Sequence, residues 1–395
     1  MNTSSRRMLA VDAPIIPTIG ALVRDNPGTI SLGQGVVNYG PPQSAIDAIP
    51  ALMADLQLHK YQSVMGHAAL LESLTNKLRV DNGIALGDES ALMVTAGSNM
   101  AFLNCLLAIT DPGDEVILPM PFYFNHEMAI RMCGCVPVTV PTQDDWSLDV
   151  QAIRDAITPR TRAIVTVSPN NPTGAVYSRD SLIDVNTLCA HHGLYHFSDE
   201  AYEYFTYEGL RQFSPGSLPG AAEHTISLFS MSKNYGMASW RIGYVVFPER
   251  LRDAMLKVQD TNLICAPVVS QVLAVEALKL GRSWITPKVQ GLEAVRATVY
   301  SALDTLGDLV LYPKTQGAFY VLMQLPALKQ GTDPMAFNRF MAEQHKVATV
   351  PGFAFGLTDA TRGNYQRLSY GALAPESVTE GVSRYVEAIR RWYQH

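Results

Sequence analysis

The sequence predicts an α/β protein: a large domain built on a mainly parallel sheet flanked by helices, followed by a smaller α+β domain. Three observations carry that prediction. Between residues 91 and 247, short apolar runs alternate with helical patterns, the arrangement that gives parallel strands joined by crossover helices. From Pro248 to about Gly307 the pattern turns helical, broken at Pro267, with a long helix predicted over 283–306. Beyond it, strands predicted at 309–312, 318–324, 346–350 and 365–370 mix with helices near 333–345 and 375–394. The expected division is an N-terminal arm over 1–45 that belongs partly with the small domain, a large domain over 46–285 and a small domain over 286–395.

A chain of 395 residues can bury the core that this division needs. Charged residues make up only 17%, against about 25% in ordinary soluble domains, which points to surface covered by a second copy of the chain. The net charge of −6 argues against nucleic acid or an anionic membrane as the main partner. No run approaches the roughly 18 apolar residues of a membrane span, and the opening MNTSSRRMLAVDAPII holds only a short, Pro-interrupted apolar segment. The five cysteines are odd in number and sit in apolar contexts; only Cys133 and Cys135 are close, with no second Cys or His cluster at ligand spacing. A cytoplasmic protein with buried thiols and no metal is the expectation.

The elements follow in order. Residues 1–45 are rich in Pro and Gly, including Gly33-Gln34-Gly35; the glycines permit close backbone approach and the prolines are expected to forbid a regular helix. A helix is predicted from about Gln43 to Leu58, then a loop holding Tyr61 and Gly66. The strand Ala91–Thr95 runs into Ala96-Gly97-Ser98-Asn99, which opens a helix through about Ile109. Such an opening leaves N–H groups facing outward with the positive end of the helix dipole behind them, a ready anion site, although Ser and Asn also cap ordinary helices. After a turn at 111–115, the strand 116–118 leads to Phe122 and Tyr123, aromatics that either stack on a flat ligand or join the core. The buried strand Arg162–Val167 ends in Asn171-Pro172-Thr173-Gly174, where Pro and Gly fix a tight turn that holds an Asn amide at the strand's end. A helix over 178–192 and a strand over 195–198 then deliver Asp199 and Tyr202.

The most informative stretch is Ile226–Gly243, ISLFSMSKNYGMASWRIG. An apolar strand, Ile226–Phe229, enters a polar turn with Ser230, Ser232 and Lys233, and Arg241 follows eight residues after the lysine. A bare Ser-x-Ser-Lys also describes a solvated surface lysine. A lysine placed just after a buried strand is desolvated, however, and its neutral amine becomes a nucleophile toward carbonyls. A hydroxyl before it and a fixed cation after it suit a phosphate held beside that amine, a combination that points to pyridoxal 5'-phosphate.

Ser230-x-x-Lys233 followed by Arg241-x-Gly243 resembles the pyridoxal-lysine segment of the class I/II pyridoxal-phosphate-dependent aminotransferase family, the fold type I enzymes of the aspartate aminotransferase superfamily. The resemblance runs from about residue 30 to the end of the chain, with the other family landmarks in order; Asn171, Asp199 and Lys233 stand 28 and 34 residues apart. It implies a fold type I large domain with a seven-stranded sheet, and it assigns roles by position. Lys233 holds the cofactor as a Schiff base; Gly97, Ser98, Asn99, Ser230 and Arg241 cradle its phosphate; Tyr123 stacks on its ring. Asn171 and Tyr202 donate to the ring oxygen, and Asp199 keeps the ring nitrogen protonated. Gly35 and Asn171 contact the substrate, and Arg367, at the start of an apolar strand, pairs with its α-carboxylate in a bidentate geometry that lysine cannot supply. Tyr61 reaches the cofactor of the other subunit, so the resemblance implies a homodimer with its active sites at the interface.

The implied reaction moves an amino group between an amino acid and a 2-oxo acid with ping-pong kinetics. The same residues also serve β- or γ-elimination or oxidation on this scaffold, and a noncatalytic regulator is a third reading. Phe122, Tyr123 and Phe353 suggest an apolar side-chain pocket, hence aromatic or large aliphatic substrates; Arg24, Arg131 and Arg282 could not be oriented as a second carboxylate-binding cation.

Overall fold

The computed structural model describes residues 5–326, 328, 333–358 and 364–394; the remaining positions of the expected arm and small domain lie outside them. Among the described residues the strands are β1 (Ile30–Ser31), β2 (Ser90–Thr95), β3 (Glu115–Met120), β4 (Val136–Pro141), β5 (Thr161–Val167), β6 (Tyr195–Asp199), β7 (Thr225–Ser230), β8 (Gly243–Pro248), β9 (Tyr320–Leu325), β10 (Val347–Ala348), β11 (Val350–Pro351) and β12 (Asn364–Ser369).

The main sheet has seven strands in the order β2-β8-β7-β6-β5-β3-β4. Its pairs are parallel except those of β8, which runs against both neighbours. The carboxyl ends of β2, β3, β5, β6 and β7 therefore gather at one edge, and because β8 is reversed its first residue arrives at the same edge. Ligands of open α/β sheets bind there. Continuous apolar runs suit strands covered on both faces, and every residue of β7 and of β8 is buried.

The second sheet, β11-β12-β9, is antiparallel. The long helix Gly281–Asp304 and the helix Pro375–Trp392 pack with it around a core that includes Phe319, Tyr320, Met323 and Leu368, and that core also takes in Tyr202 from the end of β6. The amino-terminal segment is tied in by backbone pairing. β1 lies parallel to β10, with Ile30 opposite Val347, and Ser369 N–H donates to the Leu32 carbonyl at 2.7 Å.

Several expectations change. Residues Ile15–Asp25 form an eleven-residue helix, contrary to the expectation that the prolines forbid one. Pro14 caps it and Pro17 falls in its first turn, where a missing N–H costs nothing. The helix from Gln43 stops at Leu52, with Pro50 in its last turn, and a separate 3₁₀ turn covers Leu56–His59. Strand β4 was not foreseen; VPVTVP carries two prolines, which only an edge strand tolerates, and β4 is the edge. The strand expected at 309–312 is a 3₁₀ turn, Gly307–Leu309, and a single bridge from Leu311 to Gln324. The strand expected at 346–350 divides at Thr349, one half pairing with β1 and the other with β12. Among the described residues, no helix is long and apolar enough to cross a membrane.

Candidate active site

One pocket of about 380 Å³ opens at the strand ends, and Gly35, Ser98, Asn99, Tyr123, Asn171, Asp199, Tyr202, Ser230, Lys233, Arg241 and Arg367 all line it. The fold thus brings together residues scattered over more than 300 positions. Gly97 stands directly behind: its φ is +85°, and a Cβ there would collide with the Arg241 guanidinium. Gly243, the first residue of β8, lies so close to the helix Ser98–Ile109 that a Cβ would come within 2.5 Å of Ser98 N. These two glycines let the helix start, Arg241 and the turn after β7 converge. Tyr61 is elsewhere, 79% exposed on its loop and off the wall of this pocket.

Lys233 sits in a single helical turn, Met231–Asn234, directly after β7. Ser230 Oγ accepts from Ser232 N–H at 3.1 Å, which shapes the turn, and Tyr39 Oη donates to the Lys233 carbonyl at 3.0 Å. Lys233 Nζ donates to the Gly35 carbonyl at 2.5 Å. Burial, then the charges of Arg241 and Arg367, pull its pKa from the ordinary 10.5 down to about 8, against the opposing pull of Asp199. The neutral amine is the nucleophile, so a depressed pKa extends reactivity downward in pH. With formaldehyde and borohydride on ligand-free protein, Lys233 modification read by peptide mass spectrometry is expected to be half-maximal near pH 8. It should fall about tenfold per pH unit below that, while surface lysines follow a midpoint of about 10.4.

Around the helix start, Ser98, Asn99, Ser230, Ser232 and Arg241 present hydroxyl, amide and guanidinium donors, and no side chain caps the helix Ser98–Ile109. Its first N–H groups stay available for an anion. Arg241 takes a left-handed backbone, φ 54°, and is held by donating to the carbonyls of Ala238 and Ala96.

Asp199 is the one carboxylate on the pocket wall among the described residues, and it is 4% exposed. Its Oδ1 accepts from Ala201 N–H at 3.1 Å, while His126 Nε2 lies 3.1 Å from its Oδ2. His126 escaped the sequence reading. It sits inside the helix Phe124–Met132, buried and packed on Phe102 with ring centroids 4.2 Å apart, and a lone His in a helical pattern gave no signal of this partner.

Arg367 lies on β12 and is 1% exposed. Its Nη1 donates to Asn171 Oδ1 at 2.8 Å and its Nη2 to the Gly33 carbonyl at 2.6 Å, while its guanidinium lies over the rings of Tyr320 and Phe355 at 4.5 and 5.1 Å. Burial pulls its pKa below the ordinary arginine value. No carboxylate pairs with it among the described residues, and its Nε has no partner. A buried, uncompensated guanidinium calls for an anion. With Arg367 donating to its Oδ1, Asn171 keeps its NH₂ as a donor. Asn170, next to it, instead holds the turn by accepting from Thr173 N–H at 3.0 Å.

The pocket's apolar wall differs from expectation. Phe122 and Phe353 line a neighbouring cavity; Tyr123 alone of the three faces the pocket. Its apolar wall comes instead from Pro14, Ile16, Pro17, Val36 and Phe124. Arg131 pairs with Glu127 and Arg282 with Asp81, and neither they nor Arg24 line the pocket.

Residues 27–384 match the family model described as aminotransferase class I and II. The chain is 34% identical to the aromatic aminotransferase ISS1 of Arabidopsis thaliana over 99% of its own length and 97% of that protein. It is 34% identical to an aspartate aminotransferase of Pyrococcus abyssi, over 91% and 92%. Two solved structures superpose on it. Aspartate aminotransferase from Thermus thermophilus with maleate has a TM-score of 0.88 at 31% identity, covering 98% of this chain and 100% of that one. Aromatic aminotransferase from Pyrococcus horikoshii OT3 has a TM-score of 0.85 at 32% identity, covering 95% and 100%.

Proposed function

The chain belongs to the aminotransferase class I and II family and is a pyridoxal-phosphate-dependent aminotransferase; from that premise we propose that Lys233 is its reactive lysine and that its pocket takes aromatic or large aliphatic L-amino acids. The enzyme moves an amino group between an amino acid and a 2-oxo acid in two half-reactions, a ping-pong scheme. One observation carries the assignment of the site. A lysine of depressed pKa and a buried guanidinium with an unpartnered nitrogen share one pocket with a single carboxylate.

The donor set fits pyridoxal 5'-phosphate. Phosphate-type donors at the helix start beside Gly97 and Arg241, the acid Asp199 and the Lys233 amine all line one pocket. In this reading Ser98, Asn99, Ser230 and Arg241 would hold the phosphate, with Tyr61 of the partner subunit. Tyr123 would cover the ring, Asn171 and Tyr202 would donate to its oxygen, and Asp199 would face its nitrogen. Bound there, the cofactor supplies an electron-withdrawing ring that stabilises negative charge at the substrate α-carbon.

The chain's own residues supply the rest. Arg367 binds the α-carboxylate through its planar fork and orients the α-carbon toward Lys233. The Lys233 amine takes the α-proton of the amino acid in one half-reaction and gives a proton to the α-carbon of the 2-oxo acid's skeleton in the other, transfers its pKa near 8 permits close to neutral pH. His126 fixes the orientation of the Asp199 carboxylate from outside the pocket.

The apolar wall supports the substrate class. Among the described residues, the pocket's cations are Lys233, Arg241 and Arg367, all three already employed, so this chain offers no further one to a side-chain carboxylate. The names of the Arabidopsis relative and of the Pyrococcus horikoshii structure point the same way. The test is a visible-absorption titration of the purified protein with phenylalanine, methionine and aspartate, without and then with a 2-oxo acid. Phenylalanine is expected to react at least about tenfold faster than aspartate, the worth of burying an apolar side chain. Faster reaction with aspartate would overturn the substrate class. Release of ammonia or peroxide in place of amino transfer would make the chemistry elimination or oxidation.

We place the enzyme in the cytoplasm as a homodimer. Five cysteines without disulfides support the first. The exposed Leu56, in its 3₁₀ turn, and Tyr61, just after that turn, together with the low charged content, support the second.

A further inference from the structure

Tyr320 has no task in the roles assigned above, yet it touches three parts of the site. It lies on β9, 1% exposed, in the same core cluster as Tyr202. The two phenol oxygens are 2.6 Å apart, with the rings edge to face at 77°. The Arg367 guanidinium rests on the Tyr320 ring face. On its other side the Tyr320 hydroxyl fills the space beside Gly35, where a Cβ would come within 2.6 Å of it.

A phenol has one proton and two lone pairs, so across a 2.6 Å contact one of these two donates and the other accepts. If Tyr202 gives its proton to an oxygen in the pocket, it can serve Tyr320 only as acceptor. Resting on the reading that Tyr202 faces the cofactor's ring oxygen, we propose that Tyr320 is a positioning residue acting through Tyr202: it donates to Tyr202 Oη and so directs the Tyr202 proton into the pocket.

Burial keeps both phenols protonated across the working range, pushing Tyr320 up to about 12 and Tyr202 well above the ordinary tyrosine value, so the direction of donation is set by what Tyr202 faces. A hydroxyl that accepts a hydrogen bond becomes a stronger donor, since chains of such bonds polarise one another in a low-dielectric interior. The Arg367 guanidinium on one face and the edge of Tyr202 against the ring hold the phenol in place. Phenylalanine at position 320 would keep the ring face and lose only the donor.

The test uses the holoenzyme reconstituted with pyridoxal 5'-phosphate, without substrate, and reads the pH midpoint of its visible absorption. That midpoint reports the proton held at the Lys233 nitrogen. A donor to the ring oxygen stabilises the deprotonated form, so weakening the donor makes the proton harder to remove. Tyr320→Phe is expected to raise the midpoint by about 0.3 to 0.6 pH units, a two- to fourfold change, the cooperative share of one charge-assisted hydrogen bond. Tyr202→Phe should raise it further, and adding Tyr320→Phe to Tyr202→Phe should change nothing more. Binding of 3-phenylpropionate, a carboxylate without an amine, should stay within about twofold in Tyr320→Phe, because the guanidinium keeps its aromatic face. An unmoved midpoint in Tyr320→Phe, additive shifts in the double variant, or carboxylate affinity lost with the midpoint unchanged would each overturn the proposal. Wild-type protein with no visible band would instead overturn the cofactor reading and the proposal with it.

Discussion

Lys233→Ala is expected to lose the visible absorption of the cofactor-bound protein and at least about 10⁴-fold in turnover, since it removes the covalent anchor and the proton carrier together. Lys233 is the one amine on the pocket wall among the described residues, so no neighbour takes over. The loss should not come from unfolding. A lysine whose folded pKa lies near 8, below its unfolded value of about 10.5, binds fewer protons folded than unfolded between those values. Its unfavourable contribution to folding is complete below pH 8 and fades as pH rises toward 10.5. Cofactor-free Lys233→Ala should therefore melt no lower than cofactor-free wild type at pH 7. A melt well below wild type, or turnover within tenfold of it, would contradict the assignment.

The second large effect is expected at Arg367. Arg367→Lys keeps a positive charge but cannot reach Asn171 Oδ1, the Gly33 carbonyl and a carboxylate at once, as the guanidinium fork does. The expected fall in kcat/KM is about 10²-fold or more, the worth of one lost hydrogen bond between charged groups plus the freed buried carbonyls. It should appear in KM for the amino acid and the 2-oxo acid alike, because both carry the same carboxylate, with the absorption of the resting enzyme little changed. Steady-state kinetics with both substrates varied decides it: an effect confined to one of the two would assign Arg367 to a side chain instead.

How far the sequence disclosed this site follows from where its residues sit. Asp199 ends a buried strand, and Lys233 and Asn171 come three and four residues after one, so an apolar run points at each of them. The Gly97 turn is read the same way, at the margin of an apolar segment, whereas Arg367 stands fourth in the six-residue β12 and not, as expected, at its start, so only the family resemblance pointed to it. His126 and Tyr320 gave no such signal. One is in the first turn of a helix and the other is an aromatic that opens the core strand β9, which reads as core, and only the packing of those elements reveals that the side chain of each touches a pocket residue. Proline misled in two places for one reason. Its missing N–H is costly only where a partner waits for it, and neither the first turn of the helix Ile15–Asp25 nor the outer edge of β4 has one. The substrate wall was misplaced through the first of these, since Ile16 and Pro17 belong to that helix.

The pairing of β1 with β10 carries a consequence for how such a protein changes over generations. The segment that supplies Pro14, Ile16 and Pro17 to the pocket is fastened through Ile30 and Ser31 to β10 and through Leu32 to β12 of the second sheet, while Lys233, Asp199 and Asn171 stand at the edge of the first. On the proposed reading, contact with the substrate side chain and the chemistry are thus entrusted, Phe124 apart, to separate stretches of the gene. Substitutions in the first stretch that touch none of the second should combine additively with it. Selection can therefore retune which amino acid is accepted by rewriting a few codons near the start of the chain, leaving the reaction itself untouched.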